Sequence, residues 1–420
     1  MTMKLSIYFL SLAMLAITGC ATDNAAKPTA TEHQAHDTAA HDEKSSEKAP
    51  VCVSPSSQCS NTVAAEFAHD GVLWMTWANN DHIYVQSSSD KGQSFSTPVM
   101  VNAVAEKVIA KGENRPKIKL DAKGNVYISW ALSLDKRHTG HIRFSRSTDG
   151  GKSFSAPVTV NDNLEVIGHS FDSMTIGQNG EIFIAWLDGR DTQAAKKAGQ
   201  PFDGSSLYYT WSNDSGKSFY PNKRIAAHVC QCCRLQTAIA KDNTPVITWR
   251  HIFDGGIRDH ALIKFNDWQT AGDLQRVGQE NWKIDACPHH GPGLAISDKD
   301  VYHEVWFSNA DVKKGLFYAR STDAGKHFSE PMSFGGAGAS HAHVQTLGRQ
   351  VAIVWQEFDG KNNVVQLIKS SDTGKTWTKP EVIAQASKGV DTPFLITDKQ
   401  AIYLSWQVQQ QDYHLQKINF

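Results

Sequence analysis

An eight-residue turn, Ser147-Thr148-Asp149-Gly150-Gly151-Lys152-Ser153-Phe154, returns four more times in nearly the same form, at residues 88–95, 212–219, 321–328 and 370–377. Each copy follows a short β-type run such as Ile142-Arg143-Phe144, and four of the five precede a Pro and a second run, as in Pro157-Val158-Thr159-Val160. The chemistry is that of a hairpin: the Asp carboxylate accepts from turn N–H groups, Gly takes positive φ, and the closing aromatic anchors the turn. A β unit repeated at a fixed period predicts a propeller or a related repeat architecture.

A second signal recurs more completely. A β run ending in Trp occurs at Trp77, Trp130, Trp186, Trp249, Trp306, Trp355 and Trp406, spaced from 49 residues (Trp306 to Trp355) to 63 (Trp186 to Trp249). An apolar strand precedes each, so the unit reads as two strands, a loop, a third strand, the Asp-Gly turn and a fourth. Four antiparallel strands per unit make a propeller blade. The expectation is an all-β, seven-bladed β-propeller over residues 51–420, with six blades as the alternative count. Repeat four lacks the turn motif, whose place falls near Asn266-Asp267-Trp268. Repeat seven ends at Phe420 without a fourth strand, and residues 49–53 are expected to complete it and hide an open edge.

The N-terminus reads as a separate matter. Lys4 precedes an apolar run from Leu5 to Ile17, then Thr18-Gly19-Cys20, too short for a retained membrane span. It resembles a bacterial lipoprotein signal over residues 1–19, which implies cleavage before Cys20, lipid on its sulfur, and a place in the bacterial cell envelope. Ala21 after the Cys, rather than Asp, favours the outer membrane. Residues 20–50 hold almost nothing to bury and read as a disordered tether carrying His33, His36 and His41. The net charge of −1 and a pI near 7.0 give no electrostatic case for nucleic acid. The membrane partner is the lipid anchor alone.

The turn motif matches the Asp-box, or BNR repeat, and the chain resembles the sialidase superfamily over most of residues 60–410. The segments around Cys230-Gln231-Cys232-Cys233, Arg250-His251, Arg258-Asp259-His260 and Cys287-Pro288-His289-His290 are similar to a bacterial branch labelled sialidase-like on its Asp-boxes. In sialidases three arginines hold a carboxylate, a Tyr activated by Glu is the nucleophile, and an Asp is the acid/base. The carry-over gives Arg115, Arg190, Arg234, Arg250 and Arg258 as candidate clamps and Asp172 as the credible general acid. No Arg-Ile-Pro motif and no Tyr–Glu pair stand in the matching places.

Blade geometry locates a working face. The Asp-Gly turns lie at one end, so the segments leading into each first strand line the central mouth at the other. Those segments are polar: Arg115-Pro116-Lys117, His169 to Asp172, His228 to Arg234, Asp285 to His290, and His341-Ala342-His343. The ligand-binding candidates are His169, Arg190, Arg234 and His260, with the long loop from Gly189 to Gly204 as a candidate lid.

Beyond Cys20 there are six cysteines, and an even count in an exported protein suggests disulfides. Cys52 with Cys59, and a staple from Cys287 to the Cys230 group, are the expected bridges. The competing expectation is a metal site, copper first and zinc second, drawn from His228, Cys230, Cys232, Cys233, Cys287, His289, His290, His341 and His343. Against it, the spacing is not that of a zinc finger, and vicinal Cys232 and Cys233 do not readily both chelate one ion. The functional expectation is an exported, lipid-anchored propeller that binds a small-molecule or glycan ligand, with a soft metal, at this mouth. A glycoside hydrolase acting on acidic sugars is the first alternative, a protein-binding scaffold the second, and a metal-dependent oxidoreductase the other enzymatic form.

Overall fold

The computed structural model describes residues 55–420, which fall within one compact unit beginning at Cys52. Cys20, the signal, the tether, Cys52 and the segment expected to complete blade seven therefore lie outside the described residues. Seven antiparallel sheets follow one another along the chain, at 63–100, 117–159, 169–229, 236–276, 293–334, 340–386 and 394–417. Six have four strands and the last has three, ending with His414–Lys417. The first strand of each sheet neighbours the first strand of the next, and Val63–Phe67 of blade one meets Phe394–Thr397 of blade seven. This is a closed seven-bladed propeller. Among the described residues, no helix is long and apolar enough to cross a membrane.

The seven tryptophans occupy the second strand of their blades, each 5% exposed or less. In six blades that strand runs one to three residues past the Trp, as in Val126–Ser133 beyond Trp130. In six of the seven, the indole N–H, a donor that must be met when buried, finds an acceptor on the mouth side, whereas Trp77 Nε1 is buried without one. Trp130 donates to Glu106 (3.1 Å), Trp186 to Asp188 (2.9 Å), Trp306 to Glu280 (3.2 Å) and Trp355 to Glu357 (3.3 Å). Trp406 uses the Asp391 carbonyl (2.7 Å), and Trp249 alone uses a histidine, His251 Nδ1 (3.4 Å).

The five Asp-Gly turns follow one plan. Asp149 Oδ1 accepts from the N–H groups of Lys152 and Ser153, both at 3.0 Å, while Ser147 Oγ takes the Gly151 N–H at 2.9 Å. Two consecutive residues adopt positive φ, and only the second is Gly in all five turns; Lys91, Ser215, Ala324 and Thr373 take the first place elsewhere. In blade four the turn at Asn266 closes by Asn266 N–H to the Thr270 carbonyl, and Trp268 packs into the neighbouring core cluster.

Candidate functional site

The inner strands enclose a cavity of about 190 Å³ on the propeller axis, with Lys117, Lys119, Gln236, His343 and Phe394 among its walls. Above it the mouth is closed by paired charges. Arg115, 3% exposed, meets Asp391 through both Nη atoms at 2.5 Å, and also binds Thr392 Oγ1 and the carbonyls of Val63 and Gly112. Burial pushes the Asp391 carboxyl up to about 6 against the pull of Arg115.

Arg234 reaches from the start of blade four to Glu113, 2.7 Å away, and to the carbonyls of Pro292 and Ala342. Glu113 also accepts from Gly291 N–H (3.3 Å) and His341 Nδ1 (3.3 Å). Burial alone would raise Glu113, but Arg234 and His341 hold it well below the usual carboxylate range. Only glycine suits position 291, because a Cβ there would run into the backbone of Arg234. The ring of Phe394 lies between the two guanidinium groups, 4.6 Å from Arg115 and 5.5 Å from Arg234.

Asp172 is buried, accepts from Ser129 Oγ at 2.6 Å and lies 3.8 Å from Lys117 Nζ. His169 and Arg190 stand away from the axis: His169 Nδ1 donates to the Gly140 carbonyl, and Arg190 forks onto Asp188 and reaches Asp162. The expected lid contains the helix Arg190–Lys197, tied down through that arginine and through Thr192 Oγ1 to the Gly204 carbonyl. Phe202, later in the same loop, stacks on His228 at 4.6 Å.

The cysteines depart most from expectation. Cys230, Cys232, Cys233 and Cys287 are all free thiols, so the staple to Cys287 does not form. The reason is orientation. A turn at 231–232 folds Cys230, Cys232 and Cys233 inward, 1%, 6% and 1% exposed, while Cys287 stays on the surface, its Sγ 3.9 Å from Gln231 Nε2. Cys230 Sγ lies 3.7 Å from Cys232 Sγ and 3.5 Å from Cys233 Sγ. The vicinal pair therefore does converge with a third thiol, contrary to the reading from spacing. Among the described residues, this is the only group of three His, Cys, Asp or Glu donors that all lie within 4.8 Å of one another.

Two arginines flank the thiols. Arg258 Nη1 is 3.5 Å from Cys230 Sγ. Arg250, 1% exposed, donates to the carbonyls of Arg258, His290 and Phe307, lies over Trp282 at 4.9 Å, and acts electrostatically on Cys230 and Cys233. Hydrogen bonds from the Cys232 and Cys233 thiols, followed by the two guanidinium charges, hold Cys230 below the ordinary thiol range. The same contacts with Cys230 push Cys232 up, and burial pushes Cys233 up to about 12.

The expected histidine ligands do not join the thiols. His290 packs in tilted contact against His341 (4.7 Å) and Phe307 (4.2 Å), its Nδ1 buried without a hydrogen-bond partner, and burial lowers it to about 3. His343 Nδ1 takes the Leu395 N–H at 3.2 Å, and burial lowers it to about 3. His289 is exposed with φ of 54°. His260 is buried beside Trp306 with neither ring nitrogen hydrogen-bonded, and burial, then Arg250, holds it well below its ordinary value. Sequence reasoning missed Glu113 and Asp391, the counter-ions of two candidate clamp arginines. The signal available for Glu113 was its place just ahead of Arg115-Pro116, on the approach to a first strand.

No family model matches the sequence, and no curated protein does. Solved structures match by fold. A protein of unknown function from Dyadobacter fermentans superposes with a TM-score of 0.51 at 14% identity, covering 76% of this chain and 96% of its own. A Hadza microbial sialidase gives 0.51 at 13% identity, covering 81% and 74%. An ulvan lyase, described as a new family of polysaccharide lyase, gives 0.52 at 11% identity, covering 84% and 90%.

Proposed function

Taking the chain as a sialidase-like seven-bladed propeller, we propose that it is an exported, lipid-anchored protein of the cell envelope that binds a soft metal ion at Cys230, Cys232 and Cys233. The single observation that carries this reading is the convergence of three buried, unbridged thiols with the Arg258 guanidinium against one of them. Thiolates favour copper(I) and zinc among biological ions. Metal–sulfur bonds of about 2.3 Å place the sulfurs of a three-thiolate site about 4 Å apart, close to the spacings here. Bound there, the ion would supply soft Lewis acidity or electron transfer. The protein's own residues would hold it, exclude water and balance its charge. Metal analysis of the full chain, purified without chelators under reducing conditions, tests the proposal. Near-stoichiometric copper or zinc, lost in Cys232→Ser, is the expected result; a metal-free wild type that takes up neither ion overturns it.

A second reading, a glycan ligand at the mouth, draws support from the sialidase and the ulvan lyase among the fold's neighbours. A hydrolase would need two carboxylates free to act on substrate. Glu113 and Asp391 are held by arginines, and Asp172 by Ser129 and Lys117. The glycan reading therefore favours binding over cleavage. Its test is retention on immobilised uronate- or sialate-bearing glycans, and no retention on either would remove it.

A further inference from the structure

We infer that Arg258, with Arg250 behind it, makes the three-thiol site selective for a monovalent soft ion over a divalent one. The inference rests on the metal reading above and specifies which ions the site takes. Its observations are the Arg258 Nη1 contact with Cys230 Sγ at 3.5 Å, the near-complete burial of all three cysteines, and the absence of a fourth His, Cys, Asp or Glu donor in the group among the described residues.

The selectivity follows from the charges gathered in a poorly solvated place. A metal binds thiolates, so the loaded site carries three negative charges from sulfur. The Arg258 guanidinium touches Cys230 Sγ at 3.5 Å, and the Arg250 guanidinium behind it acts electrostatically on Cys230 and Cys233. What remains is one negative charge, which a monovalent ion cancels and a divalent ion overshoots. A buried uncompensated charge is costly, so the difference acts directly on affinity. The remaining charged neighbours do not change the count. Arg234, next in the chain after Cys233, is neutralised by Glu113 at 2.7 Å, and Asp259 by Arg276. Asp285, 4.0 Å from Arg258 Nη2, is fully exposed to solvent.

Coordination number points the same way. Structural zinc is almost always four-coordinate, and a three-sulfur site leaves it one ligand short. A monovalent soft ion is satisfied by sulfur alone. Arg258 is on this account a specificity-determining residue: it contributes charge and no bond to the metal.

The test titrates the reduced full-length chain, anaerobically, with silver(I) or copper(I) and separately with cadmium(II), each against a competing chelator. The variants are Arg258→Gln, Arg258→Met and the charge-retaining Arg258→Lys, each compared with wild type by circular dichroism. Losing the guanidinium charge should weaken monovalent binding at least about ten-fold while cadmium(II) binding holds or improves. Arg258→Lys should keep the wild-type ratio. A monovalent-to-divalent ratio unchanged in both neutral variants overturns the inference and leaves the metal site standing. A wild type that binds none of the three ions removes the site, and the inference with it.

Discussion

Arg258 Nη1 stands 3.5 Å from Cys230 Sγ, the only hydrogen bond among the described residues in which an arginine addresses sulfur. Arg115 and Arg234 are engaged by Asp391 and Glu113, Arg190 by Asp188 and Asp162, and Arg250 by three backbone carbonyls. A carboxylate clamp of the sialidase kind needs guanidinium forks open to substrate. Here the forks are occupied by the protein itself, and the thiol cluster is the chemistry left on this face.

The thiols should differ sharply in reactivity. Cys287 is exposed and Cys230, Cys232 and Cys233 are enclosed, so alkylation of the reduced native protein should label Cys287 first and the other three only on unfolding. Peptide mapping by mass spectrometry reads the order. Early labelling at Cys232 or Cys233 would contradict the burial of the cluster.

The Arg115–Asp391 pair joins the approach to blade two with the approach to blade seven, across the point where the ring closes. Both side chains are buried, 3% and 2% exposed. Arg115→Met leaves Asp391 buried and unpaired, which should cost about 3–5 kcal/mol in denaturant unfolding. The double variant Arg115→Met/Asp391→Leu should recover much of that loss. Additive losses would show that the pair does not act as a unit.

The Asp-Gly turns hold structure on the face opposite the mouth. Asp149→Ala removes the acceptor of the Lys152 and Ser153 N–H groups, and should lower the melting temperature by a few degrees with metal content unchanged. A variant of wild-type melting temperature that has lost its metal would place the turn in the site instead.

Glu304 gives the fold a pH dependence. It is fully buried between blades four and five, next to Thr248 Oγ1 at 2.5 Å, and burial raises its carboxyl from 4.5 to about 8. Between those values the folded chain holds a proton that the unfolded chain has released. This group's contribution therefore falls as pH rises from about 4.5 to about 8, by an amount on the order of a few kcal/mol. Glu304→Gln keeps the hydrogen bond without the ionisation, so it should flatten that slope and stabilise the protein at pH 8. An unchanged slope in denaturation from pH 5 to 8 would contradict the assignment.

The architecture was legible because its determinants are local and repeated: a Trp in each second strand, and a turn whose carboxylate meets N–H groups three and four residues on. The site was legible in its residue types and not in its arrangement. Cys232 and Cys233 are neighbours in sequence, and only the turn at 231–232 brings both to Cys230. Arg234 and Glu113 meet across 121 residues of chain, a pairing set by ring closure that no local pattern announces. The histidines misled for the same reason. Their spacing allowed convergence, but strand register gave the Nδ1 of His343 to the Leu395 N–H, and the loop before blade five set His290 in tilted contact with His341.

The central claim is tested most directly by titrating the reduced, full-length wild type with copper(I) under anaerobic conditions, alongside the triple variant Cys230→Ser/Cys232→Ser/Cys233→Ser. The account predicts one copper(I) bound tightly per wild-type chain, with a copper–thiolate charge-transfer band, and none at that affinity in a folded triple variant. Equal binding by the two proteins, or none by wild type with all three thiols reduced, would contradict it.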